Sequence, residues 1–218
     1  MSPQLLYFAD PMCSWCWGFS PVIDAVRERF GDQLPMTLIL GGLYPGTKNA
    51  LDEASKQSIR EHWVHVHDAS SQPFDFSFFE REDFVYDTEP PSRAVVAVRH
   101  SNPELAFPFL KTIHRAFYAE NKDVTDREVL CDLAAQSGLS RETFASALDS
   151  EEILLETRRD FAIARQASIN GFPTLLAGSD SRGYGIITRG YQPSEKIEAV
   201  IEAWLERTRQ KRTVEESK

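Results

Sequence analysis

The spacing of apolar and polar positions divides the chain into three stretches. Leu5–Ala9 is a short apolar run of strand length, and Met36–Leu40 is a second one that ends at Gly41-Gly42. Between them Val22, Ile23, Val26 and Phe30 recur at helical spacing, which predicts a helix from about Cys13 to Phe30, broken by "GDQLP". These elements form a βαβ-type unit. Residues 49–168 then read as almost wholly helical. Ala106, Phe109, Leu110, Ile113 and Phe117 mark one apolar stripe, which Pro108 should kink or restart. Thr125 with Glu128, and Asp149 with Glu152, fit capping boxes, and Gly138 fits a helix stop. The last stretch returns to strands. Thr174–Ala177 and Tyr184–Arg189 flank a turn-like Gly178–Gly183, and Ser194 opens a helix carrying Ile197, Val200, Ile201 and Trp204.

The order is therefore β-α-β, a long helical block, then β-β-α. A block without strands between two halves of a sheet predicts an inserted helical domain over 49–168. Residues 1–48 and 169–210 then form one discontinuous α/β domain, and 211–218 form a polar tail.

Charge narrows the function classes. Lys and Arg number 24 against 33 Asp and Glu, a formal net charge of −9, so a phosphate-neutralising surface is disfavoured. The one basic run, Arg207 to Arg212, reads as a solvated end. No apolar stretch approaches the roughly 20 residues needed to cross a bilayer. The amino terminus lacks the features of a secretory signal, so the cytoplasm is the predicted location.

Three cysteines occur, and two of them, Cys13 and Cys16, stand in the segment "YFADPMCSWCWGFSP" where the first strand gives way to the helix. Residues i and i+3 of a helix lie about 5–6 Å apart on one face. A disulfide needs a Cα separation of roughly 4.4–6.8 Å, so such a pair can close with little movement. The helix start, with its unpaired N–H groups and positive dipole end, favours a thiolate at Cys13. Cys16, one turn in, is suited to resolving a mixed disulfide.

Rival readings are a zinc site and a pair of inert buried thiols. A zinc site needs four ligands, and the remaining candidates are Cys131 and the five histidines. His62 and His65 stand about 45 residues from the pair on a predicted helix, and the histidines read as surface or interface residues. Cys131 falls on an apolar stripe and reads as core. Redox pairing is the favoured reading, and no metal is called for. Asp10 reads mainly as a turn residue before Pro11, with proton exchange with Cys16 as the alternative. Trp15 is placed outward, where an aromatic can meet substrate, and Trp17 between the domains. Pro173 immediately precedes a strand in "INGFPTLLAG".

With "DPMCSWCW" after the first strand, "GFPTL" opening the third and a helical insert between them, the chain resembles the DsbA family of thioredoxin-fold proteins. It looks closest to the cytosolic FrnE-like branch of protein-disulfide isomerases. The resemblance implies a thioredoxin-like fold with a large helical insertion, a redox-active Cys13–Cys16 pair and a cis Phe172-Pro173 bond. It also implies that Phe172, Pro173 and Thr174, together with Trp15, receive a protein or small-molecule disulfide. No bound cofactor is implied beyond the cysteine pair, with glutathione as a possible co-substrate and glutathione or a thioredoxin-type protein as reductant. The central Ser14-Trp15 differs from the Pro-His of periplasmic DsbA, so its strongly oxidising potential is not carried over. Kappa glutathione transferases and hydroxychromene-carboxylate isomerases share the architecture but have Ser in place of Cys13. Two alternatives stay open: glutathione-linked chemistry on a small molecule, and a redox-sensing chaperone or binding module.

Overall fold

The computed structural model describes the backbone of residues 3–216 and the side chains of residues 3–210. Strand β1 (Gln4–Ala9) leads into helix α1 (Ser14–Phe30) and strand β2 (Met36–Leu40). Six helices follow: α2 (Glu53–Ser70), α3 (Glu89–Ser101), α4 (Ala106–Tyr118), α5 (Arg127–Gln136), α6 (Arg141–Leu148) and α7 (Glu151–Gln166). Strands β3 (Thr174–Ser179) and β4 (Gly183–Arg189) and helix α8 (Ser194–Glu216) complete the chain. The sheet has the order β2-β1-β3-β4, with β1 parallel to β2 and antiparallel to β3, and β3 antiparallel to β4.

Strand alternation assigns the two faces of the sheet. Leu5, Tyr7, Leu38, Leu40, Leu175 and Ala177 point into the larger core, beneath α1 and α8. Phe8, Ile39 and Leu176 point the other way, against Ala164 of α7 and Ile169. Helix α7, part of the helical block by sequence, thus supplies the second layer of the sheet. It is clamped there by charge. Asp160 Oδ2 accepts the backbone N–H of Leu40 at 2.9 Å and a bond from Arg99 at 2.7 Å, while Arg99 also donates to Leu38 O.

The larger core is continuous from the sheet into the helical block. Gly18 of α1 lies against α2 so closely that an added Cβ would stand 2.7 Å from Val66 Cγ1. In the block, the buried Trp63 ring is surrounded by Phe74, Phe78, Phe79, Phe117 and Tyr118, with ring centroids 4.8–6.0 Å away.

Several local expectations shift. The first capping residue is Asp126, not Thr125: its carboxylate accepts the N–H groups of Glu128 and Val129, and Thr125 donates its hydroxyl to Asp123 instead. Likewise Ser150, not Asp149, caps α7 by accepting from Ile153 N. Asp149 is occupied by Arg127. Pro108 neither kinks nor splits its helix. It sits in the first turn of α4, where an N–H has no helical partner to lose. The internal proline is Pro21 in α1, and the Trp17 carbonyl that it leaves without a helical donor accepts the Ser20 hydroxyl at 2.8 Å. Gly138 does end α5, with φ +85° and Leu139 N bonding back to Ala134 O at 3.1 Å. The turn of the final hairpin is shorter than Gly178–Gly183, because β3 continues to Ser179. Helix α8 runs to Glu216, so the backbone of the basic run read as a solvated end is helical. Of the stretch read as a polar tail, residues 217 and 218 lie outside the described residues.

Candidate active site at the cysteine pair

The β1–α1 junction builds the site. Cys13 takes the N-cap position of α1 with extended backbone (φ −94°, ψ 112°), and its carbonyl accepts the N–H of Cys16 at 3.0 Å and of Trp17 at 3.1 Å. No side chain caps this helix end, so its donors and dipole act on the sulfur region. Both cysteines are free thiols. Cys13 retains 7% exposure, Cys16 none. Of the two sulfurs, Cys13 is therefore the one open to the surface.

From the far end of the chain, Phe172 presents its carbonyl to Cys13, whose Sγ–H donates to it at 3.4 Å. The Phe172–Pro173 peptide bond is cis, and Gly190 N bonds to Pro173 O at 2.7 Å, joining this loop to the end of β4. The tip of the Phe172 ring lies against Gly41. A Cβ at Gly41 would stand 2.0 Å from Phe172 Cζ, so the glycine after β2 creates the space that seats the loop. Thr174 is buried and donates its hydroxyl to Gly171 O at 2.8 Å, closing the loop from inside.

The second cysteine is surrounded by groups that disfavour charge. Burial pushes the Cys16 thiol well above its ordinary value, and the hydrogen bond to Cys13 and the latter's charge push it further. Tyr7 of β1 faces it from the sheet, its phenol raised first by burial and then by the two sulfurs. Asp10 is fully buried. Its carboxylate accepts Met12 N at 2.9 Å and Leu43 N at 2.7 Å, and burial outweighs those bonds to lift its pKa from 3.8 to about 6. The turn role of Asp10 is thus visible in its hydrogen bonds, and its charge also raises Cys16.

The reading of the histidines as surface or interface residues does not hold for His114. It is buried, its ring 6.2 Å from Trp17, and its Nε2–H donates to Asp10 O at 3.1 Å. Burial lowers its pKa to about 4, so at neutral pH the ring is uncharged and Nδ1 is a bare acceptor with no partner among the described residues. A cavity of about 10 Å³ separates Cys16 from the surface ion pair Asp24–Lys111, lined also by Tyr7, Ser20 and His114. Tyr86 anchors the loop from the helical block by donating to Met12 O at 2.5 Å. Local spacing does not mark Tyr7 or Tyr86 as neighbours of the pair. For His114 a signal existed, since Leu110, His114 and Phe117 repeat at helical spacing on one stripe.

The remaining candidates fall as follows. Trp15 is half-buried, its ring 5.8 Å from Tyr191, so it packs at the rim and does not project freely into solvent. Trp17 donates to Pro73 O at 3.1 Å, reaching from α1 into the helical block. Cys131 is buried in the core. His62, His65 and His67 are exposed on α2 and His100 pairs with Glu156. Among the described residues no group of three or more His, Cys, Asp or Glu is placed to hold a metal ion. None of the described helices is long and apolar enough to cross a membrane.

A thiol at a helix start, a second thiol one turn deeper and an open backbone edge beside them can carry out thiol–disulfide exchange. A solved structure from Nitrosomonas europaea, provisionally assigned as a protein disulfide isomerase, is 38% identical, with 95% of this chain and 99% of that one covered and a TM-score of 0.89. The cytosolic disulfide reductase DsbM from Pseudomonas aeruginosa is 27% identical over 93% of this chain and 98% of its own, with a TM-score of 0.76, and a second DsbM structure contains GSH. Among curated relatives, the ClpXP adapter protein SpxH of Bacillus subtilis is 24% identical, and the match spans 57% of its length. Residues 4–202 match the family model described as the DSBA-like thioredoxin domain, and the chain belongs to that family, carrying its thiol–disulfide oxidoreductase fold.

Proposed function

We propose that the protein is a cytoplasmic disulfide reductase or isomerase in which Cys13 attacks and Cys16 resolves. The observation that carries this is the Cys13 Sγ–H to Phe172 O contact at 3.4 Å, with Cys16 fully buried behind it. A substrate laid against the Phe172 backbone as an added strand brings its disulfide to the one sulfur of the pair with exposure. The Cys13 thiolate attacks one substrate sulfur. A Cys13–substrate disulfide forms, and the other half of the substrate leaves as a thiolate. Cys16 then attacks Cys13 Sγ. The Cys13–Cys16 disulfide closes, and the second substrate half leaves carrying the Cys16 proton. Two electrons have passed from the pair to the substrate. A dithiol protein or two molecules of glutathione restore the pair, and the GSH-containing DsbM structure supports glutathione in that role.

The order of steps follows from the charges. After burial, the main influence raising the Cys16 thiol is Cys13 itself, through its hydrogen bond and charge. Forming the mixed disulfide removes that charge, so the first step releases the second. Pro173 and Thr174 hold the receiving edge, and Trp15 with Phe172 supplies apolar surface beside it. The test is glutathione-coupled reduction of a peptide disulfide. Cys13→Ser should abolish turnover, and full activity in that variant would remove the proposal. A second reading, that the chain is a partner-binding module, is favoured by its curated relatives being ClpXP adapters. A Cys13→Ser/Cys16→Ser double variant that binds its partner undiminished would support it.

A further inference from the structure

We infer that the cavity behind the Phe172–Pro173 loop is a subsite for a carboxylate on the residue next to the reactive half-cystine of the substrate, with Arg189 as its receptor. The inference rests on the exchange reading above. The cavity holds about 290 Å³ and is lined by Ser168, Asn170, Gly171, Phe172, Thr174 and Arg189, among others. That is just under the range of about 300–1,000 Å³ typical of small-molecule sites, which suits one side chain or a chain end and not a large ligand.

Strand geometry places the cavity where a substrate neighbour must go. In β3, Leu175 and Ala177 point to the α1 side of the sheet, and Leu176 points to the α7 side, as alternation also requires of Thr174. Arg189 is the register partner of Thr174, so it shares that α7-side face. It does so because of a bulge. Leu175 pairs with Thr188 and Leu176 with Ile186, leaving Ile187 as the extra residue. Ile187 and Thr188 are both buried, and simple alternation from Ile187 would have returned Arg189 to the α1 side. A substrate strand whose cysteine faces Cys13, on the α1 side, turns the side chains of its immediate neighbours to the opposite face. Those neighbours meet Arg189.

The charge balance supports the same assignment. Arg29, Arg99, Arg127 and Arg141 are each held by carboxylates, whereas exposed Arg159, Arg165 and Arg189 make no ion pair among the described residues, and of these three only Arg189 lines the cavity. Arg189 is exposed at the cavity and makes no ion pair or side-chain hydrogen bond among the described residues. A guanidinium left open there matches a carboxylate in bidentate geometry. Two sources present this chemistry: glutathione, whose cysteine is flanked by two residues that each carry a free carboxylate, and a protein with Asp or Glu beside the half-cystine.

Two peptide disulfides differing only in Glu or Gln beside the half-cystine separate the cases. The wild type should favour the Glu peptide in kcat/KM by about tenfold, as expected for a charge-assisted pair. Arg189→Gln should bring the ratio close to one, and Arg189→Glu should turn the preference towards a Lys peptide. S-methylglutathione, which cannot exchange, is titrated by NMR in parallel, and Arg189→Gln should weaken its binding about tenfold. A change in the peptide ratio alone assigns the subsite to protein carboxylates, and a change in S-methylglutathione binding alone assigns it to glutathione. If Arg189→Gln alters neither, the inference is overturned. Absence of turnover by the wild type would count against the exchange reading, and the titration would still decide the role of Arg189.

Discussion

Replacing Asp10 by asparagine isolates the energetic effect of a carboxylate buried beneath the cysteine pair. Burial raises Asp10 from 3.8 to about 6, against the lowering effect of the Leu43 and Met12 N–H groups. Between those values the folded protein holds a proton that the unfolded chain has lost. Its contribution to stability is therefore complete below pH 3.8 and is lost as pH rises through about 6. At about 1.4 kcal/mol per pH unit, this span amounts to about 3 kcal/mol. Asparagine keeps the volume and one acceptor, so Asp10→Asn gives up one backbone hydrogen bond, worth about 1 kcal/mol at every pH. The pH-dependent part is separate from that constant. Urea unfolding of both proteins under reducing conditions, from pH 3.5 to 7.5, should show the variant gaining about 3 kcal/mol relative to wild type across the window. Thiolate absorbance should also show Cys16 titrating lower in the variant, because the Asp10 charge helps to raise it. A stability difference that stays flat with pH would refute the assignment of a buried, raised carboxylate.

Three further outcomes are expected. His114→Gln should remove a contribution of opposite sign: with its pKa lowered from 6.5 to about 4, His114 stabilises fully above pH 6.5 and loses about 3 kcal/mol as pH falls through 4, which pH-dependent urea unfolding will show. Gly41→Ala forces the Phe172 ring aside and should cost about 2 kcal/mol in thermal unfolding, with a fall in kcat/KM for disulfide reduction; unchanged values in both would show that the ring yields freely. Asp160→Ala leaves the largely buried Arg99 short of its closest partner and should cost about 3–5 kcal/mol by denaturant unfolding. Replacing both charges removes the unpaired guanidinium but leaves Leu40 N–H and the Leu38 carbonyl without these partners, so the double variant Arg99→Met/Asp160→Leu should recover only part of the loss.

Much of this was legible because it is local. The strands Leu5–Ala9 and Met36–Leu40, the helix after Cys13 and the closing hairpin follow from apolar spacing and turn residues, which act within a few positions. The caps of α5 and α7 lie one residue beyond Thr125 and Asp149, at Asp126 and Ser150, whose side chains accept the first N–H groups. What spacing does not contain is partnership across the fold. Phe172 meets Cys13 across 159 positions, a contact implied by family resemblance and not by any periodicity. Helix α7 looked like one more helix of the block, yet Ala164 and Asp160 make it a layer of the sheet. The bulge at Ile187 depends on how two strands register, so the direction of Arg189 was invisible in one strand alone.

The most direct test of the account is covalent trapping. Cys16→Ser protein, incubated with a peptide disulfide and quenched with acid and alkylating agent, is digested and analysed by mass spectrometry. The account predicts a persistent mixed disulfide between the substrate and Cys13, absent in the wild type and in Cys13→Ser. A trapped adduct on Cys131, or none on any cysteine while substrate is still turned over, would contradict it.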